Sequence, residues 1–460
     1  MSMLTSLLLG TCLSQINPVP VPVAPGVPTP RLDMPAGSAM TETQVVQCPL
    51  PAVSPAFGNV IDFAGDRLLL TGACIVRAPG GDGQVATFEA HPDGTWKTQA
   101  DMPQVTGLRP EDFVLQRIAC NADTLVTPIT RKSGSSELVW FRRTDEKQVW
   151  KQSGSIKAPP GATRVNFGGA IAMQGDTLAV GEVSVRPNLK DADYLTCPKV
   201  YLFQRTAEGW TPQGSLQRDE AKHPWWFGAA IAVSGDTVAV GYPAALQPFQ
   251  TQKVRASDES PMVCVYRRVD GKWSLEQQVT SSGVSSHFGF GNRVALEGDL
   301  MAVQSLNPFA DGADVFVYRR VGGTWTIEAQ LLPGAGVKRG RGFGFALAVS
   351  QGRVIVGDPS ADEDGDKVGR AFVFERRENG WMEVNRLKPK MFAAPASFGT
   401  AIAAKGSWIA VGRVRNERLG VEPGGAYLYD MRKAPLPPAV PASPAPDQDP
   451  KPAVNSTGAR

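Results

Sequence analysis

Residues 167–181 read FGGAIAMQGDTLAVG, and this stretch decides the fold. Phe167-Gly168 opens it, apolar residues alternate, Gly175-Asp176 interrupts, and a second apolar run ends in Gly181. Alternation with period two marks a half-buried strand, and Gly-Asp between two such runs marks a hairpin. The same pattern recurs as FGAAIAVSGDTVAVG from Phe227, FGFALAVSQGRVIVG from Phe343 and FGTAIAAKGSWIAVG from Phe398. Looser copies start at Phe57 and Phe288, and a divergent one at Phe113, where Val114 stands in place of glycine. The starts lie roughly 54 to 61 residues apart, a propeller-type repeat length.

Each copy continues alike. A variable loop leads to a strictly alternating strand, such as VYLFQR at Val200, VCVYRR at Val263 or VFVYRR at Val315. A short turn and a tryptophan follow: Trp96, Trp150, Trp210, Trp273, Trp325 and Trp381. Six positions on comes an apolar residue, from Met102 and Ile156 to Leu387. The even offset puts both on one face of a strand. Each unit thus offers four short strands, here A to D. One such unit leaves exposed edges and an unburied face, and radial stacking covers them. The reading is all-β: a seven-bladed β-propeller of four-stranded antiparallel blades over residues 38–433. The copy from Phe398 lacks a tryptophan strand. Residues 40–46 precede Phe57 at the matching interval, with Met40 in the tryptophan place and Val46 in the apolar one, so an N-terminal strand is expected to close the ring.

The flanks read differently. Residues 1–16 carry a short apolar run, Leu4 to Leu9, before Cys12, as in a signal peptide or a lipoprotein-type signal with Cys12 lipidated. Residues 17–37 and 434–460 are proline-rich, a spacer and a tail with too little apolar surface to fold. The expected setting is secreted or attached to the cell envelope. The six cysteines form no CxxC pattern and suggest no zinc site. With 47 basic and 44 acidic residues, the charge balance gives no reason to expect nucleic acid.

The Phe-Gly starts, the GDTLAVG and GDTVAVG hairpins, VGDP at Val356, VGYP at Val240 and the YLF, VYRR and FVF strands resemble the FG-GAP repeat family, in its short bacterial form. The resemblance covers residues 40–433. It implies a propeller shared with the head of integrin α-subunits. Calcium is often held in such repeats between the first two strands. Here the hairpins at Gly175, Gly235 and Gly298 are too short to wrap a cation.

Candidate chemistry is sparse. Asp358, Asp362, Asp364 and Asp366 alternate like the opening of a calcium loop, so calcium is the one cofactor with a candidate site. Lys367 and Val373 then break that pattern, and a solvated loop competes with it. Of the three histidines, His91, His223 and His287, none sits in a catalytic motif, and there is no GxSxG or HExxH. The recurring Arg-Arg pairs fall beside C–D turns, where they cover hairpin ends. The long B–C and D–A connections gather on the opposite rim, and variable loops on a rigid scaffold carry recognition. His223, Trp225, Trp226, Arg339 and Arg341 lie there as ligand-binding candidates. The functional expectation is an extracytoplasmic, adhesion-like binding module for a protein or glycan, without catalysis. The alternative is a propeller enzyme acting on polysaccharide, a lyase or glycosidase.

Overall fold

A computed structural model describes residues 36–47, 58–65, 68–74, 83–99, 103–109, 112–114, 117–131, 133, 135–144, 149–160, 162, 167–182, 198–218, 227–243, 260–281, 289–306, 312–338, 342–363, 365, 367–390, 397–414 and 424–435. Among the described residues the architecture is all-β apart from the 3₁₀ turn Met431–Lys433. Seven sheets of four or five strands follow one another along the chain, with one two-stranded ladder beside them. Sheet I holds Ile61–Phe63, Leu68–Cys74, Gly83–Ala90 and Trp96–Thr98, and sheet II holds Ala119–Cys120, Thr124–Thr130, Ser136–Thr144 and Val149–Lys157. Sheet III runs Phe167–Gln174, Thr177–Glu182, Val200–Thr206, Gly209–Leu216, and sheet IV runs Ile231–Ser234, Thr237–Tyr242, Met262–Val269, Lys272–Thr280. Sheet V runs Arg293–Glu297, Leu300–Ser305, Asp314–Val321, Thr324–Leu331, and sheet VI Ala346–Ser350, Arg353–Asp358, Arg370–Arg377, Gly380–Lys388. Sheet VII holds Ser397–Lys405, Trp408–Val414 and Gly425–Asp430, completed by Gln44–Gln47.

The strands within each sheet meander in order A-B-C-D, and the A strands of successive sheets touch in a circuit that returns from VII to I. That is the arrangement of a β-propeller. The A–B turns are tight because Gly175, Gly235 and Gly298 take φ near +55° before an aspartate, as two-residue II′ hairpins require. The core lies between sheets: Ala179 and Leu202 of sheet III share one apolar cluster with Val233 and Val238 of sheet IV, and the other interfaces repeat this. In sheets III, V, VI and VII a buried phenylalanine locks the A strand to its own C strand. The Phe167 ring lies 5.9 and 6.2 Å from Tyr201 and Phe203, and Phe398 lies 5.3 and 6.4 Å from Tyr427 and Tyr429. Burying one such ring contributes about 1.5–3 kcal/mol.

This packing corrects one register. In sheet V, Phe290 is the fully buried ring against Phe316 and Tyr318, at 6.1 and 6.0 Å. The repeat therefore starts at Phe290-Gly291, two residues after Phe288-Gly289. In sheet II, Val114 pairs with Ile129, the place that Phe167 takes opposite Glu182 in sheet III, so the equivalent of the start is Val114 instead of Phe113.

The glycines at the two ends of the A–B pair explain how neighbouring sheets fit. A Cβ at Gly241 of sheet IV would meet the Gly291 carbonyl oxygen at 2.0 Å, and one at Gly412 of sheet VII would meet that of Gly58 at 1.9 Å. Only a bare backbone allows this approach. The contact between VII and I, the two chain ends, is thus the same as that between IV and V.

The N-terminal segment also departs from expectation. Gln44–Gln47 pairs antiparallel with Gly425–Asp430, and Val46 faces Ala426 as Val279 faces Val263, so it serves as the D strand of sheet VII. Residues 38–41 do not continue that strand. Ser38–Thr41 crosses to sheet VI and pairs parallel with Asn385–Lys388, placing Met40 opposite Leu387. Met40 therefore does not fill the tryptophan place. The C strand of sheet VII ends at Asp430 in the 3₁₀ turn and offers no further partner, whereas the outer edge of sheet VI does. Met40 is instead buried between the two sheets among Leu387, Tyr427 and Tyr429.

Candidate functional site

In an antiparallel meander, the start of strand A, the B–C connection and the D–A connection all lie at one end of each sheet. The strand ends that flank the connections 183–199 and 243–261, at Glu182, Val200, Tyr242 and Met262, are therefore on the rim where Phe167 and Phe227 stand. The other rim carries the short turns, and several of its charges are paired locally. Arg205 bridges Asp176 of its own hairpin at 2.7 Å and Asp123 of the preceding sheet at 2.6 Å, and Arg268 pairs with Asp236 at 2.7 Å. The recurrent arginines after strand C thus staple hairpins together.

Two features distinguish the long-loop rim. The first is a cleft of about 630 Å³ on sheet II, bounded by Gly107, Arg109, Asp112, Arg131, Ser133 and Glu137. Arg131 stands in it, bridging Asp112 at 2.8 Å and Glu137 at 2.6 Å. A fixed guanidinium among hydroxyls offers directional donors and acceptors.

The second is the axial wall. Three residues after the opening phenylalanine, strand A carries Ala170, Ala230, Ala346 and Ala401 in sheets III, IV, VI and VII. Arg293 occupies that rung in sheet V, pairing with Gln304 where Ala346 pairs with Gly357. Arg117 occupies it in sheet II, two residues before Ala119, which pairs with Val126 as Ala172 pairs with Ala179. Arg293 donates to the carbonyls of Phe345 and Asn292 at 3.1 and 2.9 Å, and its guanidinium lies 5.5 Å over the exposed Phe345 ring. Loss of hydration, helped by the charge of Arg117, lowers the Arg293 pKa to about 10. Burial lowers that of Arg117 as well.

Two rungs deeper, the wall is alanine again at Ala172, Ala232, Ala295, Ala348 and Ala403, with Asp62 in sheet I. Asp62 accepts from the amides of Phe63 at 2.8 Å and Cys120 at 3.2 Å, and interacts with the Cys120 thiol. Burial raises its pKa to about 6. Burial, then the neighbouring Asp62 charge, pushes the Cys120 thiol well above its ordinary range, the reverse of what a nucleophilic cysteine needs.

Of the proposed calcium residues, Asp358 and Asp362 are among the described ones. Asp358 is fully buried, with Oδ1 accepting from the Ser360 amide and hydroxyl at 2.9 and 2.7 Å. Asp362 lies in the small ladder opposite Lys338. Among the described residues no three His, Cys, Asp or Glu side chains gather as a metal site. The acid of this loop with strong partners is Glu363. It pairs with Arg370 at 2.8 Å and with Arg386, and Arg386 pairs with the buried Glu383 at 2.8 Å. Glu383 in turn accepts from the Gly37 and Gly334 amides at 2.9 and 2.6 Å, anchoring the N-terminal segment. Asp364, Asp366, His223, Trp225, Trp226, Arg339, Arg341 and Cys12 lie outside the described residues.

Arg117, Arg293 and Asp62 were overlooked in the sequence because the signal is a break in a column. Once the copies are aligned from their buried phenylalanines, a charged residue stands where alanine recurs. Starting sheet V at Phe288 hides Arg293 by putting glycine at its rung.

No protein-family model and no curated protein matches the sequence. Solved structures with a similar trace include a prolyl endopeptidase (13% identity, TM-score 0.48), of which the aligned region is 83% of this chain and 48% of the other. Others are the β-propeller domain of the Trilobed protease from Pyrococcus furiosus (9% identity, TM-score 0.43, 82% and 98% covered) and the Pseudomonas aeruginosa periplasmic gluconolactonase PpgL (16% identity, TM-score 0.42, 79% and 96% covered). The chain spans about half the length of the prolyl endopeptidase. Among the described residues no helix is long and apolar enough to cross a membrane.

Proposed function

We propose that the chain is an extracytoplasmic binding module of the FG-GAP type, a seven-bladed ring that engages a protein or glycan of the cell envelope through its long-loop rim and does not turn its ligand over. The observation that carries this is the asymmetry of the two rims. Hairpin charges on one rim are neutralised by local arginine staples. The other rim gathers the long connections, the polar cleft around Arg131 and the arginines of the axial wall. A rigid scaffold with irregular loops on one face is the usual layout of a recognition surface. Calcium and an N-terminal lipid on Cys12 belong to the same reading as accessory features.

The test is a binding screen of the purified chain against immobilised envelope glycans and proteins, repeated with residues 183–197 and 244–259 replaced by Gly-Ser linkers. Binding that weakens at least about tenfold in the replaced chains, a loss of about 1.4 kcal/mol, supports the reading. Equal binding by both overturns it. Release of sugar or peptide products during the screen would overturn the non-catalytic part.

A further inference from the structure

We infer that the cleft on the outer wall between sheets III and IV is a docking site for an extended segment of another protein, seated by a glutamine side chain that clasps the backbone of Trp273. This docking surface goes beyond the rim reading above and does not depend on it.

Two other junctions of the ring show what belongs in this place. Gln277 of sheet IV reaches to sheet V, where its Oε1 accepts from the Trp325 amide at 2.7 Å and its Nε2 donates to the Trp325 carbonyl at 2.9 Å. Gln44 of sheet VII does likewise to Trp96 of sheet I. Gln277 stands opposite Val265 and Gln44 opposite Leu428, and the residue at that register in sheet III, opposite Leu202, is Gly214. Trp273 stands opposite Arg268 as Trp325 stands opposite Arg320, so its amide and carbonyl both point outward from the edge of sheet IV. Sheet III offers them no carboxamide, and a Cβ at Gly214 would meet nothing within 4 Å.

The space left open is a cleft of about 780 Å³, whose lining includes Leu216, Cys264, Tyr266, Trp273, Leu275 and Gln278. Trp325 is 3% exposed and Trp96 2%, whereas Trp273 is half-buried. Leu275 is 46% exposed, whereas Ile327, at the same register of sheet V, packs against the apolar cluster between sheets IV and V. The outer strands of sheets III and IV approach each other less closely than those of IV and V or of VII and I. The walls are fixed. The Tyr266 hydroxyl donates to the Gln217 carbonyl at 3.0 Å, and the Arg268 guanidinium lies 5.5 Å over the Trp273 ring.

The chemistry of the missing clasp selects the occupant. A primary carboxamide presents an acceptor and a donor side by side, which fits the N–H and C=O of one strand residue. The secondary amide of an acetylated sugar, being trans, turns them in opposite directions. An extended chain that carries the glutamine also brings apolar side chains to Leu275 and Tyr266, and backbone pairing with pockets for side chains is how segments add to sheet edges.

The probe is acetyl-SLEQQVT-amide, the sequence of residues 274–280, which performs the clasp on Trp325. Titrated calorimetrically into the full chain, it should bind saturably with a dissociation constant of about 1 mM or tighter. The peptide acetyl-SLEMMVT-amide, of similar size but without the carboxamides, should bind at least about tenfold more weakly. Leu275→Ser should weaken the first peptide about tenfold by removing the apolar wall. Gly214→Gln, which supplies the carboxamide from within, should weaken it by at least as much. Thermal melts show whether each variant folds, and Leu275→Ser carries the test if Gly214→Gln does not fold. Hydrogen exchange at the Trp273 amide should slow when the first peptide is added. No saturable binding, or equal binding of the two peptides, overturns the inference. So does binding of triacetylchitotriose in place of the peptide, lost in Leu275→Ser. The loop replacements described above leave the lining of this cleft in place, so the two readings fail separately.

Discussion

Gln44 grips the backbone of Trp96 from both sides. Its Oε1 accepts from the Trp96 amide at 2.7 Å and its Nε2 donates to the Trp96 carbonyl at 2.7 Å. Gln277 does the same to Trp325, at 2.7 and 2.9 Å. Gln44 lies opposite Leu428, and Gln277 opposite Val265, at matching registers of their sheets. One clasp joins neighbours IV and V; the other joins the first and last sheets of the chain. Gln44→Ala and Gln277→Ala should each cost about 1–3 kcal/mol in urea unfolding, since both backbone groups of a buried tryptophan lose their partner. Hydrogen exchange at the Trp96 amide should speed up in Gln44→Ala; an unchanged rate and midpoint would refute the clasp.

Asp62 should make the fold less stable as pH rises. Its pKa is raised in the folded chain to about 6 from an ordinary value of 3.8. The native state therefore holds the proton more tightly than the unfolded state between those values. Stability falls as pH climbs through that window and is level above it. Besides the Cys120 thiol, Lys405 is the charge that acts on Asp62, and it favours ionisation. Asp62→Ala, which restores the alanine of the other sheets, should stabilise the chain by about 1–3 kcal/mol at pH 8 and by almost nothing near pH 4. Denaturation series at the two pH values decide it; a gain at pH 4 equal to that at pH 8 contradicts the assignment.

Gly412→Ala and Gly235→Ala should differ in kind. At Gly412 the added methyl meets a carbonyl oxygen of another sheet, whereas at Gly235 nothing lies within 4 Å and only φ of +55° opposes it. The second should cost about 1–2 kcal/mol, the left-handed penalty alone. The first should cost about 3 kcal/mol or more, because two sheets must part. Comparable losses in thermal melts would show that the two sheets can give way.

Glu383→Gln should cost about 1–3 kcal/mol, by taking one of the two carboxylates from the buried Arg386, which keeps Glu363. Glu363 adds an acid-sensitive part to the same network. Burial pushes its carboxyl up, but Arg370 and Arg386 outweigh that and hold it below the ordinary range. Its contribution is present above the ordinary carboxylate range and is lost as pH falls through the lowered value. Limited proteolysis of residues 36–47, which Glu383 holds through Gly37, should quicken in Glu383→Gln and stay unchanged if the network is unimportant.

The repeat made the strands, their order and the interfaces legible, because alternation and hairpin glycines are local signals. Val46 could be placed as an outer-strand residue for the same reason. Met40 could not, since its choice between sheets VI and VII depends on where the C strand ending at Asp430 runs out of partners. Phe288 and Phe290 are equivalent as text, and only the packing of Phe316 and Tyr318 separates them. Of the site, the rim could be read from loop lengths. The shared rung of Arg117 and Arg293 could not, because it emerges only when the copies are aligned from the packing of Phe290 and the pairing of Val114.

The N-terminal segment also imposes an order of events. Residues 36–47 leave the ribosome long before the strands they pair with, Gly380–Lys388 and Gly425–Asp430. The Gly37 amide waits 346 residues for Glu383. Every other sheet can assemble as its own strands emerge. Residues 36–47 therefore act as a latch that shuts in two steps, and a chain stalled before residue 425 has no partner strand for Gln44–Gln47 and carries an open ring.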